Sequence, residues 1–168
     1  GIASSVLIGL FVRDELQYDR FLPQLANVYE VNIDGNFGGQ ELRGGFTPPP
    51  VGKTMQREFP EIKSFTRVFY PDAVVVKSVS SPGKLFSESR TLAVDSNFLQ
   101  VFQYPLVVGN AAACLQEPTG VVITENMARK YFGKGEALNQ SLLINDQPHR
   151  VTAVLRDLPS QSSNQSCR

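Results

Sequence analysis

The chain lacks most of what marks a catalytic or nucleic-acid-binding protein. Its 168 residues contain one histidine, His149, and two cysteines, Cys114 and Cys167, and its 16 basic residues are matched by 16 acidic ones. With no net charge and no basic stripe, nucleic acid is set aside as a partner. The two cysteines have no partner spacing for zinc or a redox pair. A disulfide between them is open in an oxidising space, subject to a geometry that sequence does not give. Nor is there an uninterrupted apolar run of the roughly 20 residues that a membrane-spanning helix needs. The basic leader and small-residue cleavage site of a signal peptide are also missing. With 42% hydrophobic and 19% charged residues, the composition is that of one ordinary globular domain.

What is present concentrates at the start. Residues 1–12, GIASSVLIGLFV, carry no charge, and the next nine, RDELQYDRF, are densely charged. An apolar stretch ending at a charged, aromatic-flanked border reads as a membrane helix emerging into water, shortened at its first residue. Gly1, Ser5 and Gly9 fall on one helical face, which would let another helix approach closely. On these twelve residues alone, an ordinary buried helix fits equally well.

Along the rest of the chain, strands and helices alternate. Pro23 opens a short helix, and residues 29–33, YEVNI, alternate as a half-buried strand. Residues 34–45, with five glycines, form a loop or a hairpin tip. Thr47 and three prolines introduce a helix running to about Phe59, halted by Pro60. Residues 62–70 and 73–79 read as strands joined by a Pro71-Asp72 turn, and residues 84–94 as another strand. Asp95 or Ser96 caps a helix carrying Phe98, Val101 and Phe102. Residues 121–124 form a buried strand, and Thr124 caps a helix over residues 125–132 that Gly133 ends. Residues 142–144 and 149–156 make a hairpin about Asn145-Asp146-Gln147-Pro148. The tail, residues 159–168, is polar and expected to be disordered. The expected architecture is α+β, a mixed sheet with packed helices. Residues 151–155 are a buried-strand pattern with nothing after them to cover it, so more chain is expected beyond the C-terminus.

The chemical motifs are decoys. Gly52-Lys53-Thr54 resembles the end of a phosphate-binding loop, but Thr47 stands where the first glycine is needed and Pro48, Pro49 and Pro50 have no N–H to donate. Ser81-Pro82-Gly83-Lys84 fits a Ser-x-x-Lys pattern in letters only, because Pro-Gly makes a turn rather than a helix start. His149 has no motif partner for a triad, and Asn139-Gln140-Ser141 is a chance glycosylation triplet. No catalytic residue, cofactor site or metal site is expected.

Several blocks together resemble the extracytoplasmic core domain of ABC transporter permeases of the MacB and FtsX-like group. They run from the Asp14-Glu15-Leu16-Gln17-Tyr18-Asp19-Arg20-Phe21 junction through residues 28–31, Thr47-Pro48-Pro49-Pro50 and residues 58–62. They continue through residues 94–102 and Pro105-Leu106-Val107-Val108-Gly109 to residues 122–133, which end in Phe132-Gly133. Two blocks depart. Glu136-Ala137-Leu138-Asn139-Gln140 replaces the usual Asp-Pro-Ile-Gly-Lys, and Val151-Thr152-Ala153-Val154 replaces Val-x-Gly-Val. Asparagine at 139 still tolerates left-handed backbone. The likeness stops after Asp157-Leu158-Pro159-Ser160, as expected of a truncated domain.

The resemblance implies residues 1–12 as the end of a transmembrane helix, 13–27 as a stalk leading into the domain, 28–158 as the core domain and 159–168 as the tail. It implies a non-catalytic periplasmic domain on the bacterial inner membrane that couples ATP-driven motion of membrane helices to export or to outside partners. Those partners are a cytoplasmic ABC ATPase subunit or domain, a second permease protomer or repeat, and a periplasmic adaptor protein. Asp14, Glu15, Tyr18, Asp19, Arg20 and Phe21 are the expected coupling residues, holding the stalk against the domain. The competing expectation is a periplasmic ligand-binding or sensor module that uses the glycine-rich residues 35–45.

Overall fold

A computed structural model describes residues 27–79 and 85–157. Among the described residues, ten strands and three helices make an α+β domain: β1 (Ile33–Phe37), β2 (Gln40–Gly44), α1 (Val51–Glu58), β3 (Val68–Phe69), β4 (Val74–Ser78), β5 (Leu85–Glu88), β6 (Ala93–Val94), α2 (Phe98–Phe102), β7 (Leu106–Gly109), β8 (Gly120–Thr124), α3 (Glu125–Phe132), β9 (Ser141–Ile144) and β10 (Gln147–Leu155). Six strands form the main sheet in the order β5-β4-β9-β10-β7, with β8 also on β10. All its pairings are antiparallel except β8 with β10.

β10 organises the sheet. Arg150 pairs with Ser141 of β9 on one edge and with Gly120 of β8 on the other. Farther along, Ala153 pairs with Gly109 of β7, so β9 and β7 follow one another along the same edge. Against β8 the register slips between Val151 and Ala153, leaving Thr152 as the extra residue of a bulge. The bulge changes which way the following side chains face. Val151 and Val154 enter one core layer with Ile123, Leu142 and Tyr131, while Ala153 enters the other with Phe98, Leu99, Tyr104 and Cys114. Alternation along β8, with Val121 and Ile123 in the first layer and Val122 in the second, shows that the layers lie on opposite faces of the sheet. α3 covers one face through Met127, Ala128 and Tyr131, and α2 with residues 111–115 covers the other. Val151 and Ala153 are consequently 0% exposed. The strand expected to lie uncovered is sealed from both sides by elements that precede it in the chain.

Local signals placed several elements as read. α1 occupies residues 51–58 after the prolines and puts Val51 and Met55 inward, leaving Lys53 exposed. Gly52 lies on that same side, where a Cβ would come within 2.5 Å of the Phe65 ring. The Thr124 hydroxyl accepts the Met127 N–H at 3.3 Å, and Gly133 ends α3 at φ +66°. Asn145 and Asp146 both have positive φ, the turn that matches strand twist in a two-residue hairpin. Asn139 stands at φ +64°, the left-handed geometry open to asparagine.

Other elements were misplaced. The first strand begins at Ile33 rather than Tyr29, which is 82% exposed. Of the loop or hairpin tip expected over residues 34–45, the hairpin is found: the Gly38-Gly39 turn, closed by the Gly39 N–H on Asn36 Oδ1 at 3.0 Å, joins strands paired from Ile33 with Gly44 to Phe37 with Gln40. Residues 62–70 and 73–79 do not form a hairpin with each other: β3 pairs with β6, and β4 lies between β5 and β9. The cause is Asp95, whose carboxylate accepts the Arg67 backbone N–H at 2.9 Å and its guanidinium at 2.7 Å. That engagement draws β3 to β6, and it leaves Asp95 unable to cap α2. The cap position of α2 is Asn97, which makes no side-chain cap bond. The single strand expected over residues 84–94 is likewise two, β5 in the main sheet and β6 in the small one.

Candidate functional site

α3 is anchored at both ends, each tied to a different part of the sheet. At its N-terminus, backbone N–H groups lack intrahelical acceptors and carry the positive end of the helix dipole. Thr124 satisfies Met127, and Asp157, two residues past β10, satisfies Asn126 through Oδ1 at 2.8 Å. The other Asp157 oxygen meets Arg129 at 2.7 Å, and the Asp157 backbone N–H donates to Glu125 Oε2 at 3.0 Å.

The C-terminal end is held by Glu88 of β5. Its Oε1 takes the Lys130 ammonium at 2.5 Å and the Tyr131 hydroxyl. The Tyr131 ring is 4% exposed and meets Phe86 edge-on, with centroids 5.3 Å apart at 84°. Lys130 also lies 4.4 Å from the centre of the Phe86 ring, a cation over an aromatic face. An open cleft of about 590 Å³ borders this cluster, with Ser78, Phe86, Gly135 and Gln140 among its walls.

Electrostatics follow from this packing. Burial works against ionising Glu88, but the hydrogen bonds from Lys130 and Tyr131 outweigh it and hold its carboxyl below the usual range. Burial, reinforced by the carboxylate, pushes the Tyr131 phenol well above its ordinary value. Glu88 has the lower pKa when folded. Its contribution is therefore full above the unfolded value of about 4.3 and lost as pH falls through the folded one. Tyr131 has the higher pKa when folded, so its contribution is full below about pH 10 and lost as pH rises beyond that. In acid titrations of stability, Glu88→Gln will flatten the loss of stability below about pH 4.3. Tyr131→Phe will flatten the alkaline limb. An unchanged acid limb in Glu88→Gln would show that the carboxylate is not held as described.

The expected coupling residues Asp14, Glu15, Tyr18, Asp19, Arg20 and Phe21 lie outside the described residues, as do residues 1–12, the polar tail and Ser81 to Lys84. His149 is half-buried opposite Leu142 in the β9–β10 hairpin. Cys114 is 3% exposed and its thiol is pushed up by burial, while Cys167 lies outside the described residues. Among the described residues, no three His, Cys, Asp or Glu side chains gather as metal ligands, and no helix is long and apolar enough to cross a membrane. Glu88, Arg129, Lys130, Tyr131 and Asp157 were not singled out from the sequence. Their partners lie 28 to 43 residues away, beyond any local pattern. The one available signal was Tyr131 beside Phe132 and Gly133 at the end of an amphipathic helix.

The family model of the MacB-like periplasmic core domain matches residues 1–166. The chain belongs to that family. Among solved structures, this MacB-like domain resembles a domain of a putative permease protein from Porphyromonas gingivalis, with a TM-score of 0.61 and 23% identity over 72% of this chain and 51% of that one. It also aligns with the periplasmic region of MacB from Actinobacillus actinomycetemcomitans, with a TM-score of 0.44 and 18% identity over 66% of this chain and 50% of that one. The MacB-like domain thus spans about half the length of the solved chains it matches. No curated protein matches it.

Proposed function

We propose that this MacB-like domain is the extracytoplasmic part of an ABC transporter permease in the bacterial inner membrane, a non-catalytic element that transmits ATP-driven movement of membrane helices to export or to proteins outside. The observation that carries the reading is the extent of the family match. It begins at residue 1 and so takes in the apolar run and the charged border as well as the folded domain. In this reading residues 1–12 end a membrane helix, and Asp14, Glu15, Tyr18, Asp19, Arg20 and Phe21 hold a stalk against the domain. The working assembly includes a cytoplasmic ATPase, a second permease protomer or repeat, and a periplasmic adaptor. A sheet packed on both faces supports a mechanical role, because close-packed interiors move as bodies rather than deform.

Location and coupling are tested separately. Lys53 is exposed on α1. In cells expressing the parent protein with Lys53→Cys and Cys167→Ser, a membrane-impermeant thiol reagent will label position 53 without permeabilisation. Labelling only after permeabilisation would place the domain inside and end the reading. For coupling, a dye at position 53 and acceptor lipids in vesicles holding the parent permease with its ATPase will report an ATP-dependent change in energy transfer. Tyr18→Ala with Phe21→Ala will abolish that change while ATP turnover continues. An equal change in the variant would remove the stalk from the mechanism.

A further inference from the structure

Burial divides the described chain at Val74. Every buried side chain lies from there onward, and among the described side chains of residues 27–73 none is buried. α1 has no buried residue, and β1 and β2 form a two-stranded sheet apart from the main one. The hairpin is nevertheless patterned for burial. A Cβ at Gly45 would come within 2.8 Å of Glu30 Oε1 and 3.3 Å of Asn32 Oδ1, so both polar side chains lie on the side that Gly45 faces. Successive residues alternate sides, which puts Tyr29, Val31 and Ile33 on the other one, where Ile33 pairs with Gly44. The Phe46 ring is there too, 3.4 Å from where a Gly44 Cβ would stand. Tyr29 is 82% exposed, Phe46 61% and Val31 43%. A two-stranded hairpin is marginal in water by itself and needs a further strand or a surface against its apolar side. The links from this stretch to the rest of the domain are the β3–β6 pairing, Arg67 on Asp95, and the Asn97 amide on the Phe65 carbonyl at 2.8 Å. They hold residues 65–69 and do not reach the hairpin.

We propose that the apolar side of the β1–β2 hairpin is a docking surface for polypeptide of the same parent chain, the part that answers to the unmatched length of the solved permease domain, and that this polypeptide buries Tyr29, Val31, Ile33 and Phe46 in a second core. Length selects this occupant. The Porphyromonas gingivalis domain shares its fold with 72% of this chain over only 51% of its own. A domain of this fold therefore holds about as much chain again, and that chain needs an apolar surface to pack on. Residues 151–155 do not offer one, since Val151 and Val154 are sealed in one layer and Ala153 in the other. The hairpin does. Supply from the same chain suits a marginal hairpin, because the entropy of closing a loop rises only slowly with its length. A bilayer suits it less: residues 29–46 carry Glu30, Asp34 and Glu41 against Arg43 alone, and anionic headgroups repel that balance. The inference rests on the family fold and is independent of the coupling role.

The test uses the full-length parent protein purified in detergent, carrying Cys167→Ser and one of Tyr29→Cys, Phe46→Cys or, as the exposed reference, Lys53→Cys. Positions 29 and 46 will react with a soluble thiol reagent at least about tenfold more slowly than position 53, as expected of side chains reached only through local opening. That protection will persist on dilution, without lipid and without any other protein. A photo-activated cross-linking side chain at position 31 will join to parent chain outside residues 1–168. Should the cysteine variants fail to fold, amide exchange in the unaltered parent protein reads the same surface, and residues 29–46 will be as protected as β4 and β9. Labelling at 29 and 46 as fast as at 53, or free exchange over residues 29–46, would overturn the proposal. So would protection lost on dilution, which would make the occupant a second copy, and protection present only in lipid vesicles, which would make it the bilayer. A cross-link to residues 1–26 or to a different protein would overturn it as well. Sidedness at position 53 is measured separately in cells, so the permease reading and the docking surface can fail independently.

Discussion

Replacing Gly109 by alanine will strongly destabilise the domain. Gly109 ends β7 at φ +110°, a backbone conformation that costs an L-residue about 1–3 kcal/mol. A Cβ there would also lie 2.5 Å from the Ala153 Cβ, 2.8 Å from its Cα and 2.9 Å from the Thr152 carbonyl oxygen. Ala153 is 0% exposed and cannot retreat, so overpacking adds about 1–3 kcal/mol. Together the two effects predict a loss of about 2–6 kcal/mol, measured as a lower denaturation midpoint at constant slope. The double variant Gly109→Ala, Ala153→Gly separates them. It relieves the Cβ contact and leaves the backbone strain and the contacts with the residue 153 Cα and the Thr152 carbonyl, so it will recover only part of the loss. Full recovery would show that strain contributes nothing, and a Gly109→Ala protein of normal stability would show that β7 does not approach β10 as closely as described.

The second large effect belongs to Tyr131. Truncation to alanine removes a ring that is 4% exposed and packs edge-on against Phe86, a change that costs about 3–5 kcal/mol. It also takes one donor from the Glu88 carboxylate, which retains Lys130. Tyr131→Phe keeps the ring and removes only that hydrogen bond, for a loss of about 1–3 kcal/mol. The ordering is the checkable content. Denaturant titration should place Tyr131→Phe clearly between the unaltered protein and Tyr131→Ala. If the phenylalanine variant is as unstable as the alanine variant, the hydroxyl rather than the ring holds α3 to β5, and the packing account is wrong. Equal stability of Tyr131→Phe and the unaltered protein would show that Lys130 alone satisfies Glu88.

The two positions differ in how much of them the sequence disclosed. Gly109 stands in the Pro105-Leu106-Val107-Val108-Gly109 block, so its presence was visible, but the reason for a glycine there was not. That reason is Ala153, which lies 44 residues later and faces it only once β7 and β10 are paired. Tyr131 was placed correctly on a helix bounded by Thr124 and Gly133, because a cap and a left-handed stop act within a few residues. Its partner Glu88 was assigned to one long strand over residues 84–94, and the structure divides that segment between two sheets. Asp95 shows the same limit from the other side. Sequence alone offers Asp95 or Ser96 as the helix cap, the local option for either side chain, and at Asp95 Arg67 outcompetes that option with two charged bonds and a backbone N–H.

By itself, the sequence determined what short-range chemistry determines. The prolines before α1, Thr124 and Gly133 around α3, the Asn145-Asp146 turn and the apolar residues 151–155 each act through their nearest neighbours on backbone dihedrals or on burial, and each appears in the structure where it was read. The ordered blocks also sufficed to place the chain in its family, since they survive as a series even when single positions drift. Tertiary structure alone decided which strand pairs with which, how the bulge at Thr152 turns one strand toward two cores, and that Asp157 closes on the start of α3. Those outcomes depend on charges and Cβ atoms brought together across 28 or more residues, and their energies exist only after the chain has already folded.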